Sequence, residues 1–200
     1  MRDGLAILTI DRPDKANSLT ETMLRALIAC LDDLAGTRFR ALILTGAGRV
    51  FSAGADLSEA RAGLATSPEW ERLSARIAAM PGLTVAALNG TLAGGAFGMA
   101  LACDIRLAVP EAKFFYPVMK LGFLPQPSDP GRLAALVGPA RAKMILMGGV
   151  KIEAAEALAW GLIDRIHPAE TLMDASAALA EDCVSAAPDH VAAIKRMVVL

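Results

Sequence analysis

The sequence predicts an α/β protein with mostly parallel strand pairing, and three observations carry that prediction. Short apolar runs of strand length alternate along the chain with longer segments whose apolar residues recur at helical spacing. The runs at 41–45 (ALILT) and 84–88 (TVAAL) are nearly continuous in apolar residues, the pattern of strands covered on both faces. Each of the two leads into a glycine-rich turn before the next helical stretch, which is the order of elements in layered α/β folds.

The elements follow in order. Residues 5–10 read as a short strand, and "LT" at 19 and 20 opens an amphipathic helix to about residue 35, with Thr20 as its N-cap. After the strand at 41–45 and its glycine-rich loop, a helix is expected over 68–80 with a proline in its first turn. The strand at 84–88 passes through Asn89 and Gly90 into an apolar helix that begins near "AGG". "DIRLAV" and "AKFFYP" are strand-like and separated by a turn at Pro110 and Glu111. The proline-rich loop "LPQPSDPG" (124–131) precedes helical stretches near 131–137, 139–147 and 153–160. "LIDRIH" reads as a last short strand, and helices at 170–187 and 188–200 close the chain.

Composition sets the frame around these elements. Two hundred residues, 54% of them hydrophobic, suit one core-rich domain spanning 1–200. Twenty basic residues against 21 acidic ones leave a net charge of −1, with no footprint for nucleic acid and no single-sign run for a membrane surface. Cys30, Cys103 and Cys183 are odd in number, far apart and set in apolar segments, so they read as reduced core residues. The first apolar run is broken by Asp11 and Pro13, too soon for a signal peptide or a membrane span. The expectation is a soluble cytoplasmic protein that does not bind membranes. No paired His or Cys spacing supports a metal site.

The two glycine-rich turns are the candidate functional segments. In "TGAGRVFSAGADL" (45–57), Gly46 and Gly48 resemble the start of a dinucleotide fingerprint, but Phe51 stands where the third glycine belongs, which argues against nucleotide binding there. In "NGTLAGGAFG" (89–98), the glycines put free backbone N–H groups and the positive end of a helix where a ligand can approach closely. Such a site holds a phosphate or a developing oxyanion. Taken alone, the Gly94–Gly95 pair is more readily explained by close helix-to-strand packing. His167 and His190 lie far from both turns and read as structural or surface residues.

The turns are not alone. "RPDKANSL", "RALILTGAGRVFSAGADL", "PGLTVAALNGTLAGGAFGMALACDIRLA", "AKFFYPVMKLGFLP" and "KIEAAEALAWGLIDRI" occur in this order, and together they resemble the crotonase superfamily, the enoyl-CoA hydratase/isomerase family, from about residue 5 to residue 200. The resemblance implies a crotonase-like spiral of ββα repeats that binds an acyl-CoA thioester in lipid metabolism, as a lyase or an isomerase. It implies that the thioester carbonyl is polarised by an oxyanion hole of two backbone N–H groups, those of Ala55 in "SAGAD" and Gly95 in "AGGAFG". The CoA end would lie along Lys15, Ala53, Asp56 and Leu57, with no cofactor beyond the CoA moiety of the substrate. Relatives commonly carry a basic residue where Ala16 stands. They also continue into C-terminal helices that build trimers or hexamers, so a homo-oligomer is expected, as is the lack of most of that segment from the single domain 1–200.

The resemblance also marks two departures. Hydratases of the family place one glutamate three residues after the second oxyanion glycine and another on the strand after "AKF", behind a proline; here those positions are Gly98 and Val118. Proton transfer by a positioned carboxylate is half of hydratase chemistry. Ordinary hydratase activity is therefore doubtful, and the alternative is a non-catalytic acyl-CoA-binding or oligomer-partner homologue. Other members use an aspartate or tyrosine in the following loop, at the position of Gln126, whose amide orients a water or carbonyl but is no base. Asp129 is the nearest acid in that loop and a candidate relocated base, although Asp before Pro is also a common turn residue. Tyr116, Lys120 and Asp104 are weaker candidates, with Tyr116 expected half-buried on a strand and Asp104 in a capping or turn role.

Overall fold

The computed structural model describes residues 4–198. In chain order the elements are β1 Leu5–Ile10, α1 Glu21–Ala35, β2 Ala41–Gly46, β3 Val50–Ser52, α2 Leu57–Arg61, α3 Glu69–Ala78, β4 Leu83–Leu88, β5 Thr91–Ala93, α4 Phe97–Leu101, β6 Ile105–Ala108, β7 Lys113–Phe115, α5 Val118–Leu121, α6 Asp129–Val137, α7 Pro139–Leu146, β8 Ile152–Glu153, α8 Ala154–Trp160, β9 Arg165–Ile166, α9 Leu172–Ser185 and α10 Pro188–Met197.

The strands form two sheets. The larger runs β1-β2-β4-β6-β9 and is parallel throughout; the smaller runs β3-β5-β7-β8, parallel except for the β7–β8 pair. The chain therefore repeats one step: a long strand enters the larger sheet, a short strand enters the smaller one, and a helix follows. Three such steps are β2-β3-α2, β4-β5-α4 and β6-β7-α5. The apolar continuity of 41–45 and 84–88 is explained by their place, since β2 and β4 are interior strands of the larger sheet with almost every residue buried. Of the smaller sheet the sequence marks only β7, within "AKFFYP"; β3 and β5 have three residues each and β8 two, too few for a periodic signal.

Helix α1 begins as expected, with the Thr20 hydroxyl accepting the Met23 N–H at 3.2 Å. It buries Leu24, Leu27, Ile28 and Leu31, the i, i+3, i+4, i+7 stripe of an amphipathic helix. Helix α3 packs against α1 and α4, and α9 packs across β2, β4 and β6. Asp104 does serve a turn: it accepts from the Thr84 N–H and hydroxyl at 2.8 and 2.9 Å and pairs with Lys195 of α10 at 2.7 Å.

Three local expectations are corrected. Val118 opens the short helix α5 instead of continuing a strand, because Pro117 interrupts the β7 backbone and the Val118 N–H turns back to the Tyr116 carbonyl at 2.9 Å. Tyr116 is 3% exposed, not half-buried, and lies one residue past β7. Of the cysteines only Cys103 is buried, its thiol pushed up to about 12 by burial; Cys30 is exposed and Cys183 intermediate, since both sit on the outward sides of their helices. The 199–200 end of the last expected helix lies outside the described residues. No described helix is long and apolar enough to cross a membrane.

Candidate active site

The two glycine-rich turns meet backbone to backbone. Gly54 takes a left-handed φ of +89°, and a Cβ there would lie 2.9 Å from the Ala93 carbonyl oxygen and 3.4 Å from the Gly95 nitrogen. Only glycine allows this approach. The 53–56 loop is held from its other side by residues 16–19: the Ala53 and Asp56 N–H groups donate to the Ala16 and Leu19 carbonyls, and the Leu19 N–H donates to the Gly54 carbonyl. The Gly54 N–H donates to the Ser52 hydroxyl at 3.2 Å. Every N–H of this stretch except that of Ala55 is thus engaged, and Ala55 lines a cavity of about 220 Å³. Gly95 lines the same cavity, at the start of a 3-10 turn, Gly94–Ala96, that leads into α4. Its N–H, like that of Ala55, meets no acceptor among the described residues.

Position 95 is glycine for a second reason, the ring of Trp70 on α3. A Cβ at Gly95 would stand 3.1–3.2 Å from three atoms of the indole. Trp70 is anchored by its own N–H, which donates to the Leu64 carbonyl at 2.9 Å, and it forms part of the cavity wall. The sequence reading missed Trp70. Its one signal is that it is one of only two tryptophans, on the buried stripe of an amphipathic helix with Leu73 and Ile77.

Opposite these loops the cavity is closed by Tyr116, Val118 and Gln126, with exposed Leu57, Leu121, Phe123 and Leu124 at its edge. Tyr116 stacks on Phe97 of α4, ring centroids 5.3 Å apart. Its hydroxyl donates to Asp129 Oδ2 at 2.9 Å and accepts the Gln126 N–H at 3.4 Å. Asp129 is fully buried at the first residue of α6. Its Oδ1 has no hydrogen-bond partner, and it lies 2.9 Å from where a Cβ at Gly98 would stand. The space left by the missing side chain at 98 is therefore filled by a carboxylate from a different helix. No sequence pattern links 98 to 129; the contact exists only because α6 packs against α4.

That environment pushes the Asp129 carboxyl up from 3.8 to about 6, chiefly by burial and also through the Glu71 carboxylate, against the opposing effects of the Tyr116 hydrogen bond and Arg132. Tyr116 is raised above the usual phenol range, first by burial and then by the Asp129 charge. The loop carrying Asp129 is tied to α3, where Glu71 accepts from the Ser128 N–H at 3.1 Å and from the Ser128 hydroxyl. Arg132 Nη1 donates to the Ser74 hydroxyl at 2.9 Å.

The remaining sequence candidates sit on the loop side. Asp56 caps α2 through Ser58 and pairs with Arg12 at 2.8 Å. Its hydrogen bonds with Ser58 and Arg12 hold its carboxyl well below the usual carboxylate range. Ala53 and Leu57 are exposed and line the cavity. Lys15 is exposed on the 13–15 turn. That turn is positioned by buried Asn17, whose amide donates to the Ala47 and Val50 carbonyls and accepts the Arg12 N–H at 2.8 Å. No group of His, Cys, Asp and Glu among the described residues could hold a metal ion.

Successive ββα steps that feed two sheets, with a cavity at their glycine turns, are the crotonase fold, and solved structures agree. The enoyl-CoA hydratase/isomerase structure from Pseudoalteromonas atlantica superposes with a TM-score of 0.91 at 31% identity, covering 99% of this chain and 80% of that one. The family profile of enoyl-CoA hydratase/isomerase matches residues 1–199, and the chain belongs to that family. It is 34% identical over 187 residues to the 1,2-epoxyphenylacetyl-CoA isomerase of Escherichia coli, across 88% of this chain and 71% of that protein. It is 35% identical over 201 residues to the carnitinyl-CoA dehydratase of Citrobacter koseri, across 95% and 75%.

Proposed function

We propose that the chain binds an acyl-CoA thioester with its carbonyl oxygen between the Ala55 and Gly95 N–H groups, and that these donors stabilise the enolate-like charge that develops there. The observation that carries this reading is the pair of unengaged N–H groups on two touching loops of one cavity. A donor of this kind contributes about 3 kcal/mol to such a transition state. Leu57 and Ala53 lie along the path to the CoA moiety, and Lys15 meets its phosphates; CoA enters as part of the substrate. The exposed Ile194, Met197 and Val198 at the end of the chain support burial in a homo-oligomer.

The hydratase glutamates have no counterpart at Gly98 and Val118, and none of the residues lining the cavity is acidic. The same observation favours the second reading, an acyl-CoA-binding homologue without catalysis. Calorimetry with butyryl-CoA and a turnover assay with crotonyl-CoA separate these. Binding with hydration far below that of ordinary hydratases is the expected outcome. Turnover at ordinary hydratase rates would show that the two glutamates are dispensable here. Gly95→Pro, which deletes one donor, removes thioester polarisation under either reading, and unchanged butyryl-CoA affinity and chemistry in that variant would overturn the oxyanion assignment.

A further inference from the structure

We propose that Tyr116 and Asp129 form a two-residue proton shuttle in which the Tyr116 hydroxyl exchanges the substrate proton and Asp129, behind it, takes up the tyrosine proton. The proposal rests on the acyl-CoA reading above and assigns the proton-handling group that the cavity wall otherwise lacks.

Three observations carry it. Tyr116 is the one side chain on the cavity wall that has both an ionisable proton and a buried partner to receive it. A hydroxyl offers one donor and two acceptor lone pairs. In Tyr116 the donor goes to Asp129 and one lone pair takes the Gln126 N–H, so one lone pair is left for a substrate proton. Finally, the arrangement is held rigidly for a task that packing alone does not require: Oδ1 of a fully buried carboxylate is left unpartnered against Gly98. An unsatisfied buried oxygen of this kind is costly, and such costs persist at functional sites.

The step balances with no co-reactant. The α-carbon–hydrogen bond of the bound thioester breaks, and its electron pair becomes the enolate whose oxygen the Ala55 and Gly95 N–H groups hold. The released proton passes to Tyr116 Oη while the tyrosine proton passes to Asp129 Oδ2, so tyrosinate is never formed. Reversal returns a proton to the α-carbon or, for a β,γ-unsaturated acyl chain, to the γ-carbon. A single shuttle can move a double bond in this way, whereas hydration also requires a group to activate water. Gln126, whose N–H fixes the tyrosine oxygen, is a positioning residue.

Asp129 must be ionised to receive the proton, so the rate should rise with pH through about 6 and then level off. The charged and titratable groups facing it are Tyr116 from the end of β7, Glu71 from α3 and Arg132 from its own helix; α4 presents only Gly98.

The test uses the full chain with two probes: butyryl-CoA, for binding heat and α-proton exchange in heavy water, and but-3-enoyl-CoA, for conversion to crotonyl-CoA. Wild type should bind butyryl-CoA and carry out exchange or isomerisation. Tyr116→Phe keeps the ring on Phe97, and should slow both by about 100-fold or more while leaving butyryl-CoA affinity within about two-fold. Asp129→Asn should slow both and flatten the pH profile near 6. A Tyr116→Phe rate equal to wild type, an Asp129→Asn profile that keeps the inflection, or wild type that binds butyryl-CoA yet does neither reaction would each overturn the shuttle and leave the acyl-CoA reading standing. Failure of butyryl-CoA to bind would instead overturn that reading, and the shuttle with it.

Discussion

The cavity has two walls, and behind each, outside its lining, stands an aspartate at the start of a helix with the opposite fate. Behind the loop wall, Asp56 caps α2, pairs with Arg12 and is held well below the ordinary carboxylate range. Behind the helical wall, Asp129 begins α6, meets a phenol in place of a cation and is pushed up to about 6 by burial. The same side chain is thus a fixed anion behind one wall and a group poised near neutrality behind the other. What separates them is the supply of donors: Asp56 has a guanidinium, a hydroxyl and backbone N–H groups, whereas one Asp129 oxygen has nothing. The walls divide the chemistry in the same manner. The loop wall offers backbone N–H groups, set in place by glycines where the two loops touch, and the helical wall offers side chains.

The largest expected effect that sharpens this contrast is the pH dependence of stability. Asp129 has a folded pKa above its unfolded value, so its protonated form is the favoured one in the fold. Its contribution is fully present below about 4 and is lost as pH rises through about 6. A shift from 3.8 to about 6, roughly two units at about 1.4 kcal/mol each, corresponds to about 3 kcal/mol. Denaturant melts between pH 4.5 and 7.5 should show wild type losing stability over that interval and Asp129→Asn losing much less. Equal slopes in the two proteins would mean that the carboxyl is not desolvated. Asp56 has the opposite sign: its depressed pKa makes its contribution present above 3.8 and lost as pH falls below that value. Acid melts of Asp56→Asn against wild type, set apart above pH 4 and converging as pH falls below it, check this.

A smaller effect tests the contact between Gly98 and Asp129. The Cβ of Gly98→Ala would stand 2.9 Å from Asp129 Oδ1, and overpacking of this kind costs about 1–3 kcal/mol. In an Asp129→Ala background the cost should largely vanish. A double-mutant cycle with no coupling would show that the carboxylate does not fill the space at 98. The smallest effect belongs to the loop wall, where Asp56→Ala removes a cap from a five-residue helix and should lower Tm by about 2–4 °C. An unchanged Tm would mean that Arg12 and Ser58 hold the loop without it.

How much of this could be read from the chain differs between the walls. The two turns that bring Ala55 and Gly95 to one cavity are legible because close backbone contact leaves glycines at fixed offsets, Gly54 before one residue and Gly94 before the other. Strands β2 and β4 and helix α1 are legible because burial on both faces, or on one stripe, repeats at a short period. The pairing of Tyr116 with Asp129 is invisible in the sequence, because nothing local marks a phenol just past a three-residue strand as the partner of a carboxylate 13 residues on. Trp70 was missed for a related reason. Its role is to occupy the space that Gly95 leaves, and a gap and its filler from another helix share no pattern along the chain.

By itself the sequence determined the alternation of strands and helices, the two glycine turns and the family to which they belong. These follow from local rules of burial period and backbone freedom. It also marked Gly98 as empty where a proton-handling side chain would be expected. Only the tertiary structure decided what occupies that place. α6 lays its first residue against α4, so a carboxylate enters from outside the motif and burial raises its affinity for a proton. Burial and partner supply are properties of the packed elements around a residue, and no stretch of chain carries them alone.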